Sequence, residues 1–307
     1  MTTTTTTTND RRQLRVLSDP KTVVHKTSIP ISEQYPPRRL HLCLLGDPTP
    51  RYMLRVAHWV NKRIMEQGFD DVWVWSDDKA NYLFEQELGG DFLRVWNAIK
   101  TDEGPTRLAR MTDFLRLVIM YEYGGVYLDV DILPCHGLEF MVDKPGVVSF
   151  PYLNEQAGEV VNCAISSPPK HPFMQLALHN LFAKDMDDLA HGAFLRAAGP
   201  HFVSTVVDEY LERKNVAFPS IANEEAVPFP FSETERWTEV DDLRFANFGD
   251  LVTQQEFAMV HMHMGSWFQE RAIPKCEQNV ELIPSFLDKI CEGTITMNAR
   301  FYNCGEE

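Results

Sequence analysis

Two aspartates one residue apart, Asp129 and Asp131, close the run Tyr127-Leu128-Asp129-Val130-Asp131. Side chains alternate along an extended strand, so this spacing predicts both carboxylates on one face. Two like charges held that close repel unless a cation sits beside them. Carboxylate oxygens select hard ions such as Mn²⁺ or Mg²⁺, which can also bridge the two phosphates of a nucleotide diphosphate. The plainer alternative is a pair of solvated aspartates at a strand edge. Upstream, Arg110, Asp113 and Arg116 are spaced three apart and so line one face of a helix. They form either a chain of ion pairs or a surface ladder of little energetic weight. Arginine brings a bidentate donor fork for phosphate or for sugar hydroxyls. Near the far end, Val260-His261-Met262-His263-Met264-Gly265-Ser266-Trp267 alternates so that the two histidines share a face. Trp267 is either a core aromatic or a stacking surface for a base.

The elements that must position these residues are legible. Thr106 is a candidate N-cap, and Leu108, Met111, Leu115, Val118 and Ile119 make an apolar stripe through to Tyr123. Gly124-Gly125 ends that helix, and residues 126–133 follow as a strand interrupted by the aspartates. Earlier, residues 40–45 read as a buried strand closed by Gly46-Asp47-Pro48. Met53, Val56, Ala57, Val60 and Ile64 recur at helical spacing up to Gly68. Val72-Trp73-Val74-Trp75 is then a second strand, running into Ser76-Asp77-Asp78. Strand, helix, strand in this order predicts an α/β fold with a parallel sheet and ligands beyond the strand ends. No GxGxxG follows the first strand, so the usual dinucleotide fingerprint is absent. Further on, 147–152, 160–165 and 257–264 read as strands and 173–182 and 202–214 as helices; 271–307 carries no clear pattern.

A chain of 307 residues, 44% apolar, can bury one large α/β core. Its net charge of −15 repels phosphate backbones, which excludes nucleic acid as a general partner. No apolar stretch approaches the ~20 residues that span a bilayer, so no transmembrane segment is expected. The Thr-rich start, residues 1–37, reads as a mostly disordered tail, with a catalytic domain over 38–270 and an extension over 271–307. The six cysteines are widely spaced without a CxxC pair, which predicts free thiols. Cytoplasmic placement follows, or the Golgi lumen if the chain is trimmed or anchored by a partner.

The segments Ala109-Arg110-Met111-Thr112-Asp113-Phe114-Leu115-Arg116 and Tyr123-Gly124-Gly125-Val126-Tyr127-Leu128-Asp129-Val130-Asp131 together resemble the signature of the DxD sugar-binding glycosyltransferases. That family includes mannosyl- and galactosyltransferases and the catalytic domains of clostridial glucosylating toxins. The resemblance implies a GT-A fold, with a Rossmann-like, mostly parallel central sheet flanked by helices. It also implies a nucleotide sugar donor (UDP-sugar or GDP-mannose), Mn²⁺ or Mg²⁺, and transfer with retention to a hydroxyl on a glycan, a lipid-linked sugar or a protein. By matching position, Asp113 and Arg116 would hold donor sugar hydroxyls, Asp129 the ribose or sugar, and Asp131 the metal, with Tyr127 beside the nucleotide; Arg110 is a further donor-binding candidate. Asn162 resembles a family asparagine near the donor sugar, and Gly199-Pro200 a loop bordering the acceptor. His263 and Ser266 resemble a closing element that completes the metal site, with Trp267 capping the leaving nucleotide. The first strand departs from the family's usual opening, offering Arg39-Leu40-His41-Leu42-Cys43, so the choice of base stays open. Two other readings are a haloacid-dehalogenase-like phosphohydrolase, suggested by residues 128–133 but lacking the Gly-Thr pair after the second aspartate, and a non-catalytic binding protein on the same fold.

Overall fold

A computed structural model describes residues 30–46, 51–104, 106–135, 138–154, 159–191, 194–215, 237–240, 242–246, 259–261 and 283–291. His263, Ser266, Trp267 and the expected tail as far as residue 29 lie outside these. A 3₁₀ turn over Ile31–Glu33 leads in, and the Gly146 N–H donates to the Gln34 carbonyl at 2.8 Å. Then come β1 (Arg39–Cys43), α1 (Arg51–Glu66) and β2 (Asp71–Trp75). Next follow α2 (Asp77–Tyr82), a π-helical turn (Leu83–Leu88), α3 (Gly90–Lys100), α4 (Arg107–Tyr123), β3 (Gly125–Leu128) and β4 (Ile132–Pro134). Beyond a second 3₁₀ turn at Glu139–Met141 stand β5 (Val148–Asn154), β6 (Glu159–Val160) and β7 (Ala164–Ser167). The remainder comprises α5 (Pro172–Phe182), α6 (Met186–His191), α7 (Phe194–Ala197), α8 (Pro200–Arg213), β8 (Trp237–Val240), β9 (Leu243–Ala246), β10 (Met259–His261) and α9 (Ile283–Cys291).

The main sheet runs β2-β1-β3-β7-β5-β9-β8, with β6 on β5. Strands β1, β2, β3, β5 and β9 point one way, and β7 and β8 point back. The sheet is therefore mixed but mostly parallel, flanked by helices, in keeping with the α/β expectation. Alternation splits the core between its two faces. Leu40, Leu42, Val72, Val74, Val126 and Leu128 face α1, while Cys43, Trp73, Trp75, Tyr127 and Ile165 face the layer that contains α4, α5 and α8. Trp75, Trp96, Phe84 and Phe114 are almost wholly buried there. Each such side chain contributes roughly 1.5–3 kcal/mol or more in burial relative to exposure.

Three sequence expectations change. Residues 126–133 are not one strand: the Ile132 N–H donates to the Asp129 carbonyl at 2.9 Å, closing a turn that separates β3 from β4. The two aspartates are therefore neighbours across a turn, for which aspartate at the first position is well suited, and not by strand alternation. The 77–100 region, unassigned from sequence, is helical, because Val95, Trp96 and Ile99 bury a stripe against α4. Finally, Cys43 and Cys163 are free but Cys135 is disulfide-bonded, since wide spacing along the chain does not keep cysteines apart in space. Within the extension, α9 docks on α1 through a Trp59 Nε1–H bond to Asp288 Oδ1 at 2.8 Å.

The Gly124-Gly125 corner between α4 and β3 is tightly fitted. Gly124 has φ 61° and Gly125 φ 100°, and a Cβ on Gly125 would fall 2.6 Å from the Arg39 carbonyl oxygen. Beneath it lies His41, fully buried. Its Nδ1 accepts the Trp75 Nε1–H at 3.1 Å and its Nε2 lies 2.8 Å from the Gly124 carbonyl oxygen. Indole donates only and a carbonyl accepts only, so the partners fix the neutral Nε2–H tautomer. Burial pulls this imidazole from 6.5 down to about 3, against the Gly124 hydrogen bond and with help from the Arg39 charge. The unfolded chain thus takes up a proton near pH 6.5 that the folded chain refuses until about 3. Stability from this group is full above the higher value and is lost as pH falls through the window. Urea unfolding between pH 7 and 3.5 should show wild type losing up to ~1.4 kcal/mol per pH unit more than His41→Gln; equal slopes would contradict the assignment.

Candidate active site

Asp129 follows β3 at its carboxyl end, on the side where Gly46 follows β1 and Asp77 follows β2. Asp77 Oδ2 accepts the Gly46 N–H at 2.8 Å and so ties two of these strand-end loops together. This is the edge at which open α/β sheets hold ligands. The Asp129 N–H donates to the Cys163 carbonyl at 2.7 Å, anchoring the aspartate to the segment that enters β7.

Arg116 organises what lies beneath. Its Nη2 contacts Asp113 Oδ1 and Asp129 Oδ1, each at 3.1 Å. Its Nη1 reaches Asp129 Oδ2 at 3.4 Å and donates to the backbone oxygen of Asn162, and its Nε donates to the Thr112 carbonyl at 3.4 Å. A guanidinium has five N–H donors, and these five acceptors match that number. The Asn162 Nδ2 donates to Asp113 Oδ1 at 2.9 Å, closing the ring of contacts. Tyr127, nearly buried, donates its hydroxyl to Asp129 Oδ1, and the guanidinium lies 4.8 Å from its ring centroid. Arg110, also buried, donates from Nη1 to the Leu189 carbonyl of α6 at 3.3 Å.

The electrostatics follow from this packing. Burial pushes the Asp113 carboxyl up to about 6, assisted by the nearby Asp129 charge and opposed by Arg116 and the Asn162 bond. Burial pulls the Arg116 guanidinium down, but Asp129, Tyr127 and Asp113 outweigh it and hold it above its ordinary range. Burial raises the Cys163 thiol, with the Asp129 charge adding to that rise, Arg116 opposing it and Asp131 adding a smaller effect. Two carboxylates contact Arg116, and Asp129 is the more open of them, its side chain 26% exposed against 5% for Asp113; Asp131 follows two residues on, in the same turn. That surplus of carboxylate oxygen is the donor chemistry a hard divalent cation requires. Among the described residues no group of three or more His, Cys, Asp or Glu is placed so that it could hold a metal ion.

Residues 55–145, which contain α4, the corner and the Asp129–Asp131 turn, match the family described as a glycosyltransferase sugar-binding region containing a DXD motif. Inositol phosphoceramide mannosyltransferase 1 of Schizosaccharomyces pombe is 27% identical over 199 residues, covering 60% of this chain and 55% of that protein. Mannosyl phosphorylinositol ceramide synthase SUR1 of Saccharomyces cerevisiae is 30% identical over 142 residues, 45% of this chain and 33% of its own length. The chain therefore spans about half or less of these curated relatives. Among solved structures, PaToxG glycosyltransferase aligns with 58% of this chain and 71% of its own at 15% identity and a TM-score of 0.44, a partial likeness.

Of the residues expected from sequence, the structure brings together Asp113, Arg116, Tyr127, Asp129 and Asn162, with Asp131 in the turn that follows Asp129. His261 is present as backbone in β10, paired with Ile132 one residue past Asp131. His263, Ser266 and Trp267 lie outside the described residues, and Gly199-Pro200 begins α8. Sequence reading missed the Thr112, Asn162 and Cys163 carbonyls, because main-chain acceptors have no residue signature. Arg116→Lys keeps the charge but cannot reach five acceptors in the fork geometry. Loosening Asp129 by even ~1 Å can cost on the order of 10² in rate, so the variant should lose turnover on that scale while remaining folded by circular dichroism. An unchanged rate would reduce Arg116 to a passive ion pair.

Proposed function

We propose that this chain is a metal-dependent glycosyltransferase that moves a sugar from a nucleotide diphosphate sugar to a hydroxyl acceptor with retention of configuration. The observation that carries this reading is the Arg116 cluster, delivered by α4 and the Gly124-Gly125 corner to the carboxyl end of β3, inside a segment that matches the DXD sugar-binding family. Mn²⁺ or Mg²⁺ fits the surplus carboxylates; Asp129 and Asp131 would hold it, with His263 and Ser266 completing the set. When bound, such an ion neutralises charge on the departing diphosphate.

The chain's own residues divide the remaining work. Asp129 is the exposed edge that meets the donor, while Asp113, Arg116 and Asn162 hold it from below. That arrangement favours a positioning role for Asp113 and Arg116 over direct contact with sugar hydroxyls. An Asp129 carboxylate already accepting from Arg116 and Tyr127 is a weak nucleophile, which favours a front-face route over double displacement. In that route the bond from the anomeric carbon to the phosphate oxygen breaks on the face where the acceptor oxygen bonds, and the acceptor proton passes to the leaving phosphate. Tyr127, Arg110 and Trp267 would lie along the nucleotide.

The named relatives transfer mannose to inositol phosphoceramide, which favours GDP-mannose over a UDP-sugar and a lipid-borne inositol phosphate as acceptor. The Cys135 disulfide favours a lumenal, oxidising site over the cytoplasm. No helix among the described residues is long and apolar enough to cross a membrane.

Incubation with a panel of nucleotide sugars and Mn²⁺ should release nucleoside diphosphate, fastest from GDP-mannose. Asp131→Ala should abolish the release with unfolding midpoint preserved; near-normal release by that variant at saturating Mn²⁺ would overturn the metal assignment. His263→Ala should raise the Mn²⁺ concentration for half-maximal release well above that of His261→Ala, because β10 returns the chain beside the Asp131 turn. Near-wild-type values for both would remove the histidine from the ion.

A further inference from the structure

The two halves of the cluster come from different elements. Asp113 and Arg116 ride on α4, Asp129 and Asp131 follow β3, and the Gly124-Gly125 corner joins them. Arg116 stands eight residues before Gly124, about 12 Å along a helix at 1.5 Å per residue. A small rotation at the corner therefore becomes a displacement of ångströms at the guanidinium, while its contacts with Asp129 close at 3.1 Å. Something must fix the peptide that turns the chain.

The Gly124 N–H is held from the helix side by the Met120 carbonyl at 3.1 Å. Its carbonyl is held from the sheet side by His41, whose Nε2 also lies 3.3 Å from where a Gly125 Cβ would stand. His41 is in turn fixed by the Trp75 Nε1–H and by the edge-on ring of Trp73, centroids 5.4 Å apart. The backbone of His41 pairs with Tyr127, the residue whose hydroxyl reaches Asp129. One fully buried side chain thus grips the corner and stands in register with the strand it launches. A leucine would fill comparable volume but leave the Gly124 carbonyl and the Trp75 indole N–H unpaired.

We propose that His41 is a positioning residue for the DXD site, setting the angle between α4 and β3 through its hydrogen bond to the Gly124 carbonyl. The proposal rests on the reading of Asp129 and Asp131 as the metal- and donor-binding pair.

The test compares wild type, His41→Leu, His41→Gln and the core variant Leu178→Ala, a destabilised control in α5 far along the chain from the corner. Two readouts are followed: amide exchange of residues 126–129 in metal-free protein, and Mn²⁺ binding by calorimetry in the presence of GDP. His41→Leu should speed exchange at 126–129 by roughly tenfold beyond the control, the scale of one buried hydrogen bond left unmade, and should weaken Mn²⁺ binding similarly. His41→Gln, which can still donate to Gly124, should recover most of both. Exchange and Mn²⁺ binding in His41→Leu equal to those of the control would overturn the proposal. Should wild type bind no Mn²⁺ with GDP, the metal-site reading fails and the exchange data alone decide the role of His41. If His41→Leu does not fold, Trp75→Phe removes the partner that orients the imidazole, and unchanged exchange at 126–129 in that variant overturns the proposal equally.

Discussion

A single buried guanidinium carries the arrangement of the site. Arg116 spends its donors on Thr112, Asp113, Asp129 and Asn162, and so ties a helix, a strand end and the segment entering the reversed strand β7 into one body. Burying that charge is costly unless every donor finds an acceptor, and the carboxylates are costly without it. The cluster is therefore close to all-or-none: each member is tolerable inside the protein because the others are there. Preorganisation of this kind lets Asp129 present an edge to a ligand without reorganising when the ligand arrives.

The surrounding fold serves that geometry. A corner of two glycines with positive φ lets α4 lie back along the sheet, and Trp73 and Trp75, which pack on His41 and on Tyr123, give the corner a rigid floor. The protein as a whole carries −15, which disfavours anionic ligands. Part of that negative charge, Asp113 and Asp129, sits at the site itself. A diphosphate-bearing donor would need a local counter-charge in such a field, which is the electrostatic ground for the metal dependence proposed above.

Much of this was legible in the sequence. The helix with Arg110, Asp113 and Arg116, the Gly-Gly stop and the DxD run were read in order, because periodicity and glycine signals are local. The alternation of Trp73 and Trp75 with Val72 and Val74 likewise assigned β2. What eluded the sequence was tertiary. The turn at Asp129–Ile132 looks like continued strand because valine and isoleucine favour extension in either case. The helices over 77–100 are short and broken by a π-helical turn and by Gly89-Gly90, which interrupts the periodicity that would mark them. The inward commitment of Arg116 depends on main-chain oxygens from Thr112 and Asn162, which no residue type announces, and the bond of Cys135 depends on a partner remote in sequence.

Arg116 and Asp129 act as one structural unit, and a double-mutant cycle measures that directly. Unfolding free energies would be compared for wild type, Arg116→Met, Asp129→Asn and the double variant in metal-free protein. Strong coupling is expected, with the double variant more stable than the sum of the single changes implies by about 1–3 kcal/mol, because Arg116→Met leaves the Asp129 carboxylate without its guanidinium partner and Asp129→Asn removes that charge. Additive losses would contradict it and leave Arg116 and Asp129 as neighbours without a shared role.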